Sequence, residues 1–250
     1  MAALRGGHSC LYAFLDLPER ESDMGKGDVV FQGAVFDLDG LLMDSEPMWM
    51  WAQVKTFAGL GAVLTEEMQL ATTGMRMREA LLAWRGYFPH LDLDPEHLRI
   101  RLLDLMLSAI RESGRPKAGA IRTLEMCHRA GCRIAIASSS PPPVIHASVD
   151  RLDRLHAGAR SWFREILSAE AEARGKPHPD VFLSAAAKLG VDPRDCIAFE
   201  DSVHGLRSAH AAGMHCIAVP EVHNRGRAEY AIAHRVLESL EAFEPGFLNR

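Results

Sequence analysis

The pattern of apolar and polar positions changes character along the chain. Five short runs have the look of buried strands: Val29–Phe36 (VVFQGAVF), Cys132–Ala137 (CRIAIA), Glu165–Leu167 (EIL), Cys196–Phe199 (CIAF) and His215–Val219 (HCIAV). Most are continuously apolar rather than alternating, which suits strands covered on both faces. The segments between the later runs read as helices. AIRTLEMCHRAG, PDVFLSAAAKLG and SVHGLRSAHAAG each finish on Gly, the residue that suits a helix C-terminus. PPPVIHASVDRLDRL opens on prolines, which a first helical turn tolerates. Strand alternating with helix predicts an α/β fold with a Rossmann-like, doubly wound parallel sheet.

Residues 48–115 interrupt that rhythm. MWMWAQVKTFAGLG, EEMQLATTGMRMREALLAWRGYF and PEHLRIRLLDLMLSAIRES read as three helices with no good strand between them. A helical block inserted after the first strand predicts a small second domain, a helical cap over residues 48–115. The core would then comprise 29–47 and 116–250, rejoined through the Gly- and Pro-containing link GRPKAG. Residues 1–28 precede the first strand as an extension expected to be disordered. Its apolar patch, CLYAFLDLP, is short, is broken by Asp16 and lacks a small-residue cleavage site, so a signal peptide is rejected. Met24 stands just before the charged stretch that leads to the strand and offers an alternative start.

Composition narrows the function classes. Lys plus Arg is 28 and Asp plus Glu is 33, giving 28 − 33 = −5, and no Lys/Arg-rich run appears. That argues against a nucleic-acid surface. No apolar stretch approaches the ~20 residues needed to span a bilayer. The five cysteines, Cys10, Cys127, Cys132, Cys196 and Cys216, lack metal-ligand spacing and read as reduced thiols of a cytoplasmic protein. No exposed heptad or repeat suggests assembly, so a monomer is expected.

Open α/β sheets bind ligands beyond the carboxyl ends of their strands. Polar residues stand at four such ends: Asp37 and Asp39, Ser138–Ser140, Lys176 a little further on, and Glu200–Asp201. Asp37 and Asp39 are two apart and would lean to one side of an extended backbone. Close carboxylates repel, and a bound cation relieves the repulsion. Asp201 could complete an all-oxygen site, which suits Mg²⁺. Ser138 and Lys176 add a hydroxyl donor and a positive charge, the groups a phosphoryl ligand needs. Each feature alone has a plainer reading. Asp after a strand is often a turn residue, serines before prolines can cap a helix, and Lys176 could be an ordinary loop lysine. Their succession at four strand ends is what favours a site.

Together DLDGLLMDSE, ASSSP, GKPHPDVF and FEDSVHG resemble the four motifs of the haloacid dehalogenase superfamily, in the right order across most of residues 30–220. SEPMW, TTGMR and AAAKLGVDP extend the likeness to its helical-cap sugar phosphatases, the bacterial 2-deoxyglucose-6-phosphate and hexitol phosphatases. The resemblance implies a phosphatase in which Asp37 is the nucleophile and Asp39 the general acid and base. It implies Mg²⁺ held by the Asp37 carboxylate, the Asp39 backbone carbonyl and Asp201, with Glu200 just behind it. Ser138, the Ser139 amide and Lys176 would hold the phosphate. From the cap, Trp49 and Arg76 would meet the sugar, while Asp44 would be structural. The related β-phosphoglucomutases share this core but carry His where this chain has Trp49, so the departure favours hydrolysis over mutase chemistry. Dehalogenases of this fold lack the second aspartate, and Asp39 is present. A phospho-ligand binding protein on the same fold is the alternative of a different class; it would be expected to lose the nucleophile, the lysine or the metal aspartate.

Overall fold

The structure, a computed structural model, describes residues 30–91 and 94–249; the extension expected over 1–28 lies outside the described residues. Six parallel strands form one sheet in the order β3-β2-β1-β4-β5-β6. They are β1 (Gly33–Phe36), β2 (Arg133–Ser138), β3 (Phe163–Ser168), β4 (Cys196–Glu200), β5 (His215–Ala218) and β6 (Arg235–Val236). β1 is shorter than its apolar run. Val30 forms an antiparallel bridge with Asn249 instead, and the Phe31 N–H donates to the Leu248 carbonyl at 3.0 Å. β6 has no counterpart in the predicted strands. It is two exposed residues long, and the Leu237 N–H fixes it by donating to the Ala218 carbonyl at 2.8 Å.

The continuous apolar runs conceal a period of two in side-chain size. Phe36, Ile134, Ile136, Ile197 and Phe199 face one side, with Phe36 stacked on Phe199 at 4.3 Å between ring centres. Val35, Ala135, Ala137, Ala198 and Ala218 face the other. Helices α5 (Ala120–Arg129) and α6 (Pro142–Leu155) cover the large-residue face through Leu124, Ile145, Val149 and Leu152. Helices α7 (Asp180–Leu189) and α8 (Val203–Ala211) sit on the alanine face, where small side chains allow close approach. The strand tips thus all point one way from a sheet fixed on both faces.

Between β1 and α5 lie α1 (Glu46–Ala58), α2 (Glu66–Leu70), α3 (Met77–Tyr87) and α4 (Pro95–Ser113). They pack around their own cluster, in which Phe57 meets Trp84 edge-on at 5.6 Å, and Val144 of α6 joins it. The single helix expected over 66–88 is two. The chain leaves helical geometry after Leu70 and turns through Gly74, whose φ of +79° is left-handed. α3 then restarts at Met77, with the Arg76 N–H donating to Glu79 Oε2 at 3.3 Å. Apolar spacing continues across the break, which is why the sequence reads as one helix. Among the described residues no helix is long and apolar enough to cross a membrane.

The turn at Gly74 is also a contact: a Cβ there would lie 2.7 Å from Ser202 Oγ, beside β4. Gly74→Ala is therefore expected to cost about 1–3 kcal/mol through left-handed strain and the collision. Urea unfolding beside wild type measures it, and an unchanged midpoint would contradict this packing.

Candidate active site

The tips of β1 and β4 and the loop after β3 converge on one buried ammonium. Asp37 follows β1 directly, and its N–H donates to the Phe199 carbonyl at 3.0 Å, which holds its carboxyl group beside β4. Lys176 Nζ donates to Asp37 Oδ1 at 2.6 Å and to Glu200 Oε1 at 2.5 Å. All three side chains are buried. The other Glu200 oxygen, Oε2, accepts from the Ser202 N–H and hydroxyl at 3.3 and 3.2 Å. Carboxylate oxygens of Asp37, Glu200 and Asp201 all lie within 4.8 Å of one another.

This cluster is electrostatically incomplete. With all groups ionised, three carboxylates and one ammonium leave 1 − 3 = −2 in a buried place. Burial pushes the Asp37 carboxyl up to about 8, and Glu200 and Asp39 add to the effect against the opposing pull of Lys176. Burial, Asp37 and Glu200 likewise raise Asp201 well above the usual carboxylate range. Burial alone would discharge Lys176, but Asp37 and Glu200 outweigh it and keep the ammonium charged. An anionic, all-oxygen donor set of this kind fits a hard divalent cation. The expected metal residues Asp37 and Asp201 are brought together. The carboxylate that joins them is that of Glu200, whereas the Asp39 side chain is engaged elsewhere.

Asp39 has a different environment from Asp37, although only Leu38 separates them. Its Oδ1 accepts from Ser45 Oγ at 2.7 Å and Trp49 Nε1 at 3.0 Å. Its Oδ2 accepts from Ser140 Oγ at 2.6 Å and Ser138 Oγ at 3.4 Å. Two donors come from the β2 tip and two from the entry to α1. Trp49, expected to meet substrate, lines the same cavity but directs its indole N–H at Asp39. Ser139 turns its hydroxyl to the Gly74 carbonyl at 2.8 Å, tying the β2 tip to the inserted helices. Ser45 and Ser140 as partners of Asp39 were missed. Ser140 stood in the quoted ASSSP run and Ser45 in DLDGLLMDSE and SEPMW, but neither stretch tells which carboxylate its serine addresses.

Arg76 requires correction. It was expected to reach substrate from the cap, but it is not among the residues lining the cavity. Its guanidinium pairs with Glu79 and donates Nη1 to the Glu172 carbonyl at 3.0 Å and the Ala169 carbonyl at 3.4 Å. Standing at the start of α3, three residues before Glu79, it faces an acid on its own helix and open carbonyls in the loop leading to Lys176. Asp44 lies 3.5 Å from Lys117 in the return link. The cavity, of about 120 Å³, runs from Asp37, Asp39 and Asp201 up into the inserted helices. Its charged lining residues are Asp37, Asp39, Glu46 and Asp201, all acidic.

A family model described as haloacid dehalogenase-like hydrolase matches residues 31–213. The chain belongs to this family. Hexitol phosphatase B of Escherichia coli strain K12 is 33% identical over 208 residues, covering 83% of this chain and 91% of the relative. A crystal structure of a CbbY mutant from Rhodobacter sphaeroides, in complex with xylulose-(1,5)bisphosphate, superposes with a TM-score of 0.73 at 27% identity, over 85% of this chain and 96% of that one. A β-phosphoglucomutase structure from Clostridium difficile has a TM-score of 0.74 at 21% identity, covering 87% and 95%, a likeness of fold alone. Within the haloacid dehalogenase-like hydrolases the chain is an enzyme of the phosphatase type.

The raised carboxyl groups make cation binding visible in stability. Burial with Glu221 nearby also lifts Glu46, to about 7. A carboxyl group raised in the folded state contributes stability that is complete below the unfolded value of about 4 and is lost as pH rises through the folded value. Cation-free protein should therefore lose stability between pH 5 and pH 8, through Asp37 and Glu46. Mg²⁺ should restore it, raising Tm more at pH 8 than at pH 5. At ~100 times Kd the gain is about 2.7 kcal/mol, or roughly 5–10 °C. Calorimetry with Mg²⁺ and with EDTA at both pH values measures this, and a pH-independent Tm insensitive to Mg²⁺ would overturn it.

Proposed function

We propose that the protein is a Mg²⁺-dependent phosphatase of small sugar monophosphates, of the hexose, deoxyhexose or hexitol type, acting through an aspartyl phosphate on Asp37. The observation that carries the reading is the division of labour between two aspartates one residue apart. Asp37 lies against Lys176 in the acidic cluster, and Asp39 is held by four hydrogen-bond donors. This difference in surroundings supports reading Asp37 as the nucleophile and Asp39 as the proton carrier. The relatives support the substrate class, since one is a hexitol phosphatase.

In the first step an Asp37 oxygen attacks phosphorus. The bond from phosphorus to the sugar oxygen breaks, and Asp39 delivers a proton to that oxygen. In the second step Asp39 takes a proton from water as the water attacks phosphorus. The bond from phosphorus to Asp37 breaks and inorganic phosphate leaves. Lys176, Ser138 and the Ser139 amide hold the non-bridging oxygens. Asp37, Asp201 and the Asp39 carbonyl would hold Mg²⁺, which would supply charge neutralisation between nucleophile and phosphate. Glu200 keeps Lys176 in place. The helices of 48–115 act as a cap that excludes competing water. The free thiols of Cys127, Cys132, Cys196 and Cys216 accord with a reducing, cytoplasmic setting.

The alternative is mutase chemistry. An enzyme that returns its phosphoryl group to a second sugar hydroxyl must hold a sugar bisphosphate. A second phosphate calls for a cationic side chain, and among the described residues the cavity has acidic charges only. Arg76, the basic residue expected to reach substrate from the cap, is engaged by Glu79 and two carbonyls. Both observations support a monophosphate hydrolase.

Phosphate release from a sugar-phosphate panel, with Mg²⁺ or EDTA, tests the reading. Asp37→Asn should keep the fold and lower turnover below about a thousandth. Asp39→Asn should lose about 10²–10⁴-fold on sugar phosphates yet retain a burst of p-nitrophenolate from the aryl ester, whose leaving group needs no proton. Trp49→Phe removes one of the four donors and should cost about 5- to 10-fold. Substantial Asp37→Asn activity would refute the nucleophile. Isomerised sugar phosphate in place of free phosphate would establish the mutase.

A further inference from the structure

Resting on the phosphatase reading, we infer that the sugar's far end is deoxygenated: the preferred substrates are terminal-deoxy sugar monophosphates, of which 6-deoxyhexose 1-phosphates are the type. The cavity reaches from the catalytic carboxylates into the core of the inserted helices. Its apolar lining there is Met50, Leu70, Met75 and Met77, backed by Trp84 and Leu102 of the buried core of these helices. No charged side chain of α2, α3 or α4 lines it among the described residues.

The polar groups on that wall are largely occupied by one another. Gln69 Nε2 donates to the Met50 carbonyl at 3.1 Å and to Gln53 Oε1 at 2.8 Å. Thr72 Oγ1 donates to the Gln69 carbonyl at 2.9 Å. Trp84 Nε1 donates to the Met68 carbonyl at 3.4 Å, and Trp49 Nε1 to Asp39. At the rim, the Thr73 carbonyl pairs with His204 Nδ1 and the Gly74 carbonyl accepts from Ser139 Oγ. The polar side chains left to meet hydroxyls midway along a sugar are those of Gln53, Gln69 and Thr73, which also line the cavity. A terminal hydroxymethyl group pressed against Leu70, Met75 and Met77 would lose its water partners and find none in these apolar side chains. A methyl group at that position loses nothing and gains apolar contact. A hydroxyl that a pocket cannot satisfy is worth about tenfold or more in selectivity. With phosphate at carbon 1, carbon 6 is the end that travels furthest into the cavity.

The test compares kcat/KM, in Mg²⁺, for two matched pairs: fructose 1-phosphate with its 6-deoxy analogue, and β-glucose 1-phosphate with its 6-deoxy analogue. p-Nitrophenyl phosphate serves as a control that needs no sugar recognition. The 6-deoxy member of both pairs is expected to lead by about tenfold or more. Equal or better hydrolysis of the hydroxylated members, with every ester turned over, overturns this inference and leaves the phosphatase reading standing. No release from any ester, the aryl control included, fails the phosphatase reading and this inference with it. Met77→Gln, which places an amide on the far wall of α3, should shrink the preference at least about threefold. An unchanged ratio in the folded variant overturns the placement of the sugar's end, and if that variant does not fold, the wild-type pairs decide.

Discussion

The Lys176 ammonium, shared between Asp37 and Glu200, ties three separate strand ends into one site. Asp37 hangs from the tip of β1, Glu200 ends β4, and Lys176 comes from the loop beyond β3. A charge buried this deeply is tolerable only when partnered. The lysine therefore needs both acids, and the acids need the lysine and more. Ionising all three acids leaves negative charge in a buried place, which suits a cation where phosphate chemistry would use one. The site's electrostatics and the fold's closure are one constraint seen from two sides.

That constraint is met because the sheet is rigid. Large residues on one face and alanines on the other let α5 and α6 interlock while α7 and α8 press close. Each polar tip is then held by a strand anchored on both sides. The two aspartates separate chemically because β1 ends at Phe36, so Asp39 already lies in the turn that leads to α1. There Ser45 and Trp49 reach it from one side, and Ser138 and Ser140 from the other.

Much of this was legible in the sequence, for identifiable reasons. A buried parallel strand needs an unbroken apolar run, so β1, β2, β4 and β5 announced themselves, and polar residues at their tips marked the site. What escaped notice depends on contacts distant in the chain. β6 is two exposed residues that exist as strand only because β5 offers a free edge. The break between α2 and α3 leaves apolar spacing intact and turns on one left-handed glycine. Arg76 looked like a ligand for the substrate because it stands in the TTGMR stretch of the inserted helices. Its partners at residues 169 and 172 belong to another part of the fold. Ser45 is an ordinary helix-entry serine until the β2 tip folds across to show that both address one carboxylate.

The unequal attachment of the inserted helices bears on how such an enzyme could change over evolutionary time. α1 supplies the Trp49 donor to Asp39, so drift there disturbs the surroundings of that carboxylate. The wall formed by Met77, Trp84 and Leu102, from α3 and α4, gives no hydrogen bond to the reacting carboxylates. Mutations on that wall leave the hydrogen bonds around Asp37 and Asp39 untouched. One half of the insertion is thus tied to the strand tips, and the other is freer to diverge.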